Sequence, residues 1–179
     1  RVYWTLKASG HGPVSILDGG FAAWSGAGLP TAAGPSQPRA AAPYPVRLDG
    51  HIRATTADVE RAVSEHRGAL VDGRSRAQFE GAEKSPQVAR AGRLPGAVHV
   101  DHAKAFEPGT GRLRAPAELE ALFAPVPNGP AVSYCNTGHL ASTNWFVLSE
   151  VLKRPNITLY DGSMSEWAGD PAHPVETGS

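Results

Sequence analysis

One cysteine and one methionine are all the sulfur this 179-residue chain contains. A single thiol excludes an internal disulfide and any zinc site built from several cysteines. Charge of neither sign is in excess, with 17 Lys and Arg against 17 Asp and Glu. The chain therefore has no global basic field to draw in nucleic acid or acidic lipid. No apolar run approaches the roughly 20 residues that span a bilayer as a helix. No Gly-x-Gly-x-x-Gly follows a strand-like run, so a dinucleotide loop is not expected. One cysteine suits the cytosol and the periplasm equally, which leaves the compartment open. What remains is 41% hydrophobic and 19% charged residues, ordinary for a globular domain with a core.

The cysteine, Cys135, closes the short apolar run Pro130-Ala131-Val132-Ser133-Tyr134. The loop Cys135-Asn136-Thr137-Gly138-His139 follows, then a helix-like stretch from Leu140 to Lys153. A helix start carries roughly half a positive charge and unpaired N–H groups. A thiol placed between a strand end and such a start is favoured as thiolate, the nucleophilic form. The alternative is a buried free cysteine acting as a small hydrophobe.

Two segments align without gaps at an offset of 143 positions. Ile16-Leu17-Asp18-Gly19-Gly20-Phe21-Ala22-Ala23-Trp24-Ser25-Gly26 matches Leu159-Tyr160-Asp161-Gly162-Ser163-Met164-Ser165-Glu166-Trp167-Ala168-Gly169 in its Asp-Gly pair, its Trp and its final Gly. The helix-like Val2–Ala8 falls on Trp145–Val151. A period this long points to tandem domains, not to a solenoid with its period of about 20–50 residues. Residues 1–33 are then expected to be the tail of a first domain. The chain opens at Arg1-Val2-Tyr3-Trp4 with no initiator Met, which fits that expectation. Residues 34–45, rich in Pro and Ala, read as an extended linker. Residues 46–179 read as one complete domain.

Within it, Thr55 with Asp58 three residues on makes a capping-box start for a helix striped by Val59, Ala62 and Val63. Ala69-Leu70-Val71-Asp72 is a short strand. Ala77–Glu80 suits a helical turn, and Gly96–Asp101 another strand. Pro116–Phe123 is helical with Pro at its start. Ala131–Tyr134 and Ile157–Tyr160 are strands, and Ser163–Ala168 is the last helix. Strands alternating with helices predict an α/β fold, a parallel sheet with helices on both faces. Ligands in such sheets bind at the C-terminal strand ends, where Asp72 and Cys135 lie.

Two cysteine chemistries suit a strand–loop–helix setting. Phosphatase chemistry needs an Arg six residues after the cysteine to clamp phosphate in bidentate fashion. That position is Ala141, and the loop holds no Arg or Lys. Sulfur transfer remains: the thiolate takes a sulfane sulfur and becomes a persulfide held by loop amides.

At this point a resemblance emerges. Val71-Asp72-Gly73-Arg74, Phe79-Glu80-Gly81, Gly92-Arg93-Leu94-Pro95-Gly96-Ala97, the Cys135–Leu140 loop, and Tyr160-Asp161-Gly162 with Trp167 together resemble the rhodanese family of sulfurtransferases. They match the C-terminal catalytic half of a tandem-domain member of the thiosulfate or 3-mercaptopyruvate type. The resemblance implies a five-stranded parallel sheet flanked by helices. It also implies Cys135 as nucleophile, a covalent persulfide in place of any metal or organic cofactor, a small sulfur donor, and a thiol or cyanide acceptor. The loop Cys135-Asn136-Thr137-Gly138-His139-Leu140 matches neither the basic loop of thiosulfate-preferring members nor the Cys-Gly-x-Gly-x-Thr of mercaptopyruvate-preferring ones. The rival reading is a sulfur-carrier or protein-binding module with little turnover of small acceptors. No nucleic-acid or membrane partner is expected. The first-domain segment is expected to dock on the complete domain, on a cleaved remnant or on another chain.

The expected cradle is the backbone of Asn136, Thr137, Gly138, His139, Leu140 and Ala141, with Asn136 and Thr137 side chains as further donors. His139 offers an imidazolium. Arg74 and Arg93 are candidate anion binders. Asp72, Glu80 and Ser142 are expected to support the site: Asp72 organises its loop, Glu80 pairs with Arg74, and Ser142 steadies the following helix. His99, Asp101 and His102 are too few for a metal site.

Overall fold

The computed structural model of the chain describes residues 1–37 and 40–178. Pro38, one proline of the expected linker, lies outside the described residues.

Five short strands form one sheet: β1 (Arg53–Ala54), β2 (Ala69–Asp72), β3 (Val98–His99), β4 (Ala131–Tyr134) and β5 (Ile157–Tyr160). Their order is β1-β5-β4-β2-β3, and every neighbouring pair is parallel. Among the described residues, seven α-helices accompany them: α1 (Val2–Ala8), α2 (Gly20–Gly26), α3 (Thr56–Glu65), α4 (Arg76–Glu80), α5 (Pro116–Leu122), α6 (Ala141–Phe146) and α7 (Ser163–Trp167). The helix after the cysteine is the stretch expected over 140–153, but its second half, Val147–Val151, is π-helical. No helix among the described residues is long and apolar enough to cross a membrane.

Alternation along the strands divides the core into two layers. Val71 and Leu159 face a cluster that holds Trp4 of α1, Leu119 of α5, and Trp145 of α6. Leu70, Tyr134 and Tyr160 face another with Val59 of α3 and Met164 and Trp167 of α7. Both faces are thus covered, as a parallel sheet requires. Cys135 belongs to the first cluster. The capping box of α3 forms as expected, with Thr55 accepting from the Asp58 N–H and Asp58 accepting from the Thr55 N–H.

Residues 1–33 divide in two. Helix α1 is part of the main core: Trp4 is buried, and its indole donates to the Ile52 carbonyl at 3.2 Å. Helix α2 buries nothing. The repeat nevertheless has a structural echo. Trp24 donates to the Pro30 carbonyl and Trp167 to the Pro174 carbonyl, both at 2.8 Å. Gly20 and Ser163, equivalent in the repeat, both adopt left-handed backbone, with φ of 58° and 50°. Trp167 is buried under the sheet, whereas Trp24 is 37% exposed.

Candidate active site

Strand β4 carries Cys135 to the C-terminal edge of the sheet beside β2, whose Asp72 pairs in register with Tyr134. The Cys135 side chain is 1% exposed. Around it the loop is held by its edges. The Cys135 N–H donates to the Ser163 hydroxyl at 3.1 Å, and that hydroxyl donates to the Tyr160 carbonyl at 2.8 Å. The Cys135 and Asn136 carbonyls accept from the N–H groups of Met164 and Ser165, at 3.0 and 2.9 Å. The first turn of α7 therefore grips the chain at the cysteine. Farther along, Ser133 donates to the Ala141 carbonyl at 2.9 Å and Ser142 to the His139 carbonyl at 2.6 Å. Ser142 thus ties the loop to the first turn of α6.

Gly138 is the pivot. Its φ is +75°, and a Cβ there would lie 2.7 Å from the Asp161 carbonyl oxygen. Only glycine fits a left-handed turn so close to another backbone. The turn has a consequence for the amides. None of the backbone N–H groups from Asn136 to Ala141 has an acceptor among the described residues. Those of Leu140 and Ala141 belong to the free donors of any helix start. The other four are not explained by secondary structure. A loop that keeps several N–H groups free of protein acceptors is suited to an anion.

The side chains sort differently from the sequence-based expectation. Arg74 is buried, and its guanidinium meets both oxygens of Asp72, with Nη2 to Oδ2 at 2.6 Å and Nε to Oδ1 at 2.9 Å. Nη2 also donates to the Gly92 carbonyl at 2.9 Å. Burial works against the Arg74 charge, but its bonds to Asp72, then the charges of Asp72, Tyr134 and Cys135, raise its pKa above the ordinary guanidinium value. The donors of Arg74 are thus committed to strand and loop. Glu80 is not its partner: Glu80 stands 3.6 Å from Arg76, one helical turn away. Asp72 also accepts from the Arg74 N–H at 3.0 Å.

Arg93 is drawn to the C-terminal tail. It donates to the Gly178 carbonyl at 2.5 Å, stands 3.6 Å from Glu176, and lies over the Phe79 ring at 4.4 Å. His139 is exposed, with its ring 3.3 Å from the Thr137 hydroxyl. His99 and His102 donate to the carbonyls of Arg74 and Gly73, at 2.8 and 2.9 Å, and so brace the β2 turn. Asn136 Nδ2 donates to Gln78 Oε1 of α4 at 3.0 Å, while its Oδ1 is buried with no hydrogen-bond partner among the described residues.

Two residues at this site escaped the sequence reading, Ser163 and Gln78. Ser163 had a usable signal, because the repeat sets it against Gly20; a serine retained where glycine is easier calls for a reason. Gln78 had none, since an amide on a short surface helix carries no motif.

A parallel α/β sheet that presents a lone cysteine in an amide-lined loop defines a class of cysteine-loop domains. The rhodanese-like domain model matches residues 55–170, and the chain belongs to that family. Among curated relatives, it is 35% identical to a thiosulfate sulfurtransferase of Corynebacterium glutamicum over 98% of this chain and 61% of the relative. It is 36% identical to the sulfur carrier protein TtuD of Thermus thermophilus, over 98% of this chain and 66% of the relative. A 3-mercaptopyruvate sulfurtransferase of Rattus norvegicus is 32% identical over 99% of this chain and 61% of its own length. The chain thus spans about three-fifths to two-thirds of these relatives. Among solved structures, the anaerobic ergothioneine biosynthesis enzyme of Chlorobium limicola, in complex with trimethyl histidine, superposes with a TM-score of 0.89 at 25% identity. That match covers 100% of this chain and 45% of the enzyme, and it speaks to the fold.

Proposed function

We propose that this chain is a sulfurtransferase that carries sulfane sulfur on Cys135. The observation that bears most weight is the set of N–H groups from Asn136 to Ala141, without acceptors among the described residues, in the loop that directly follows a buried thiol. Burying an anion is costly unless hydrogen bonds replace its water. A persulfide, Cys–S–S⁻, extends the anion outward from Cys135 into the loop, where those amides are available to it. The Cys135 thiolate attacks the outer sulfur of a donor, the donor's bond to that sulfur breaks, and the leaving group departs with the electron pair. A thiophilic acceptor then attacks the outer persulfide sulfur and restores the thiolate. The step draws on no metal or organic cofactor. Gly138 shapes the cradle, Ser163 fixes the Cys135 backbone, and the Asp72–Arg74 pair holds the adjoining strand end.

Relatives named for thiosulfate and 3-mercaptopyruvate support both as donors for the test. With thiosulfate and cyanide, the chain is expected to form thiocyanate, and Cys135→Ser to reduce it to background. Undiminished turnover in that variant would remove Cys135 from the reaction. A second reading, a carrier that hands its sulfur to a partner protein, draws on the relative named as a sulfur carrier. It predicts a Cys135 one sulfur atom heavier by mass, with little thiocyanate released. The shared tryptophan and left-handed marks of α2 and α7 support residues 1–33 as the closing elements of a second unit of this kind.

A further inference from the structure

Arg1 reaches the cysteine loop from 137 positions away. It precedes α1, and its guanidinium lies over the Trp4 ring at 4.6 Å. Trp4 is itself fixed, buried in the core with its indole bonded to the Ile52 carbonyl at 3.2 Å. From that base, Arg1 Nη1 donates to the Gly138 carbonyl at 3.3 Å, and Nη2 stands 3.6 Å from Asp161. Asp161 follows β5 and also accepts from Arg53 of β1 at 2.9 Å. Its carboxylate aligns one arm of the Arg1 fork, and the other arm holds the loop. A Cβ on Gly138 would lie 2.6 Å from Arg1 Nη1, so the guanidinium packs against the side that glycine leaves open.

The consequence lies in the peptide that this bond holds. In a trans peptide the C=O and the next N–H point in opposite directions. With the Gly138 carbonyl turned toward Arg1, the His139 N–H faces the other side of the loop. That N–H is one of those without an acceptor among the described residues. Gly138, at a φ of +75°, also tolerates a half-turn of this peptide, since it has no Cβ to bar either orientation. A half-turn would put a carbonyl oxygen where the N–H stands, and a carbonyl oxygen repels an anion.

Building on the sulfur-transfer reading, we propose that Arg1 is a positioning residue for Cys135: it latches the Gly138–His139 peptide so that the loop offers the persulfide an N–H and not a carbonyl. Arg1 acts through the loop and touches neither donor nor sulfur. Arg1, Trp4 and Arg53 all lie outside residues 55–170, the span of the rhodanese-like match. The cysteine site is therefore incomplete within that span, and residues 1–33 reach the chemistry through one side chain.

The test is the rate at which intact-mass spectra of the 179-residue chain gain one sulfur atom. The donors are thiosulfate, 3-mercaptopyruvate and cysteine persulfide. Arg1→Ala is expected to lower the maximal loading rate about tenfold, the worth of one hydrogen bond to an anion. The half-saturating donor concentration should stay as it is in the parent chain. Arg1→Lys, which keeps a donor, should recover most of the rate. Guanidinium chloride below denaturing concentration should restore Arg1→Ala, and sodium chloride at the same concentration should not. Loading at the parental rate in Arg1→Ala would overturn the latch and leave sulfur transfer standing. A loss confined to the half-saturating concentration would place Arg1 in donor binding and overturn its positioning role. A loss that neither lysine nor guanidinium restores, with a lower urea midpoint, would reduce Arg1 to an anchor of α1 and overturn the proposal. No loading of the parent chain from any donor would sink the sulfur-transfer reading and this one together.

Discussion

Ser163 shows how a single residue accepts strain in return for a contact. Its φ of 50° is one that a non-glycine residue seldom adopts, at a cost on the order of 1–3 kcal/mol. Its hydroxyl is the acceptor for the Cys135 N–H. Ser163→Gly is therefore expected to hold or raise the thermal midpoint while lowering kcat for thiocyanate formation several-fold. Ser163→Ala keeps the strain without the bond and is expected to lose both, by about 1–2 kcal/mol in stability. Thermal melts beside steady-state kinetics separate the two. Gly138→Ala is expected to be more severe, because its new methyl would meet the Asp161 carbonyl and force the loop open. Thiol alkylation of Cys135 should then speed up as sulfur loading fails. The strand that ends on Cys135 and the glycine turn at Gly138 were legible from residue type and spacing. Ser163 and Gln78 were not, because they lie 28 and 58 positions from the residues they hold.

At the scale of elements, the turn after β2 carries the one buried ion pair described at this site. Asp72 and Arg74 are only two positions apart, so a fork-like bidentate bond closes locally and then extends to Gly92. Removing one partner strands a buried charge. Arg74→Leu is expected to cost about 3–5 kcal/mol in denaturant unfolding. The same loss follows if Glu80 is kept, because Glu80 belongs to Arg76. Motif spacing led to Asp72 as a support and to Arg74 as a candidate anion binder, and it assigned Arg74 the wrong carboxylate, since a helix position says nothing of which way a buried guanidinium turns. Helix α3 carries a milder pH dependence. Hydrogen bonds from Thr55, outweighing partial burial, hold Asp58 below its ordinary carboxylate range. A depressed folded pKa means the cap's contribution is present at neutral pH and fades as pH falls through that range. Acid titration of unfolding free energy should show a smaller loss in Asp58→Asn than in the parent chain.

At the scale of the whole molecule, the sheet has two covered faces, and α1 supplies part of one of them. Trp4 sits in the same apolar cluster as Cys135 although 131 positions separate them in the chain. Trp4→Ala is expected to cost about 3–5 kcal/mol, read as a lower urea midpoint with unchanged slope. Trp24→Ala, at the equivalent place in the repeat, is expected to cost well under 1 kcal/mol because its ring is partly in solvent. A large loss at Trp24 would mean that α2 is packed against something in solution.

Local pattern was enough to establish a parallel α/β order, the capped start of α3, the strand that ends on Cys135, and an amide loop opening a helix. Periodicity, caps and turn residues act within a few positions of one another, so the chain states them outright. Which carboxylate holds Arg74, why Arg93 turns to the tail, and which hydroxyl and amide reach the cysteine loop were decided only in three dimensions. Those contacts join segments that meet because the strands pair in a non-sequential order, and that order is set by burial of the whole core.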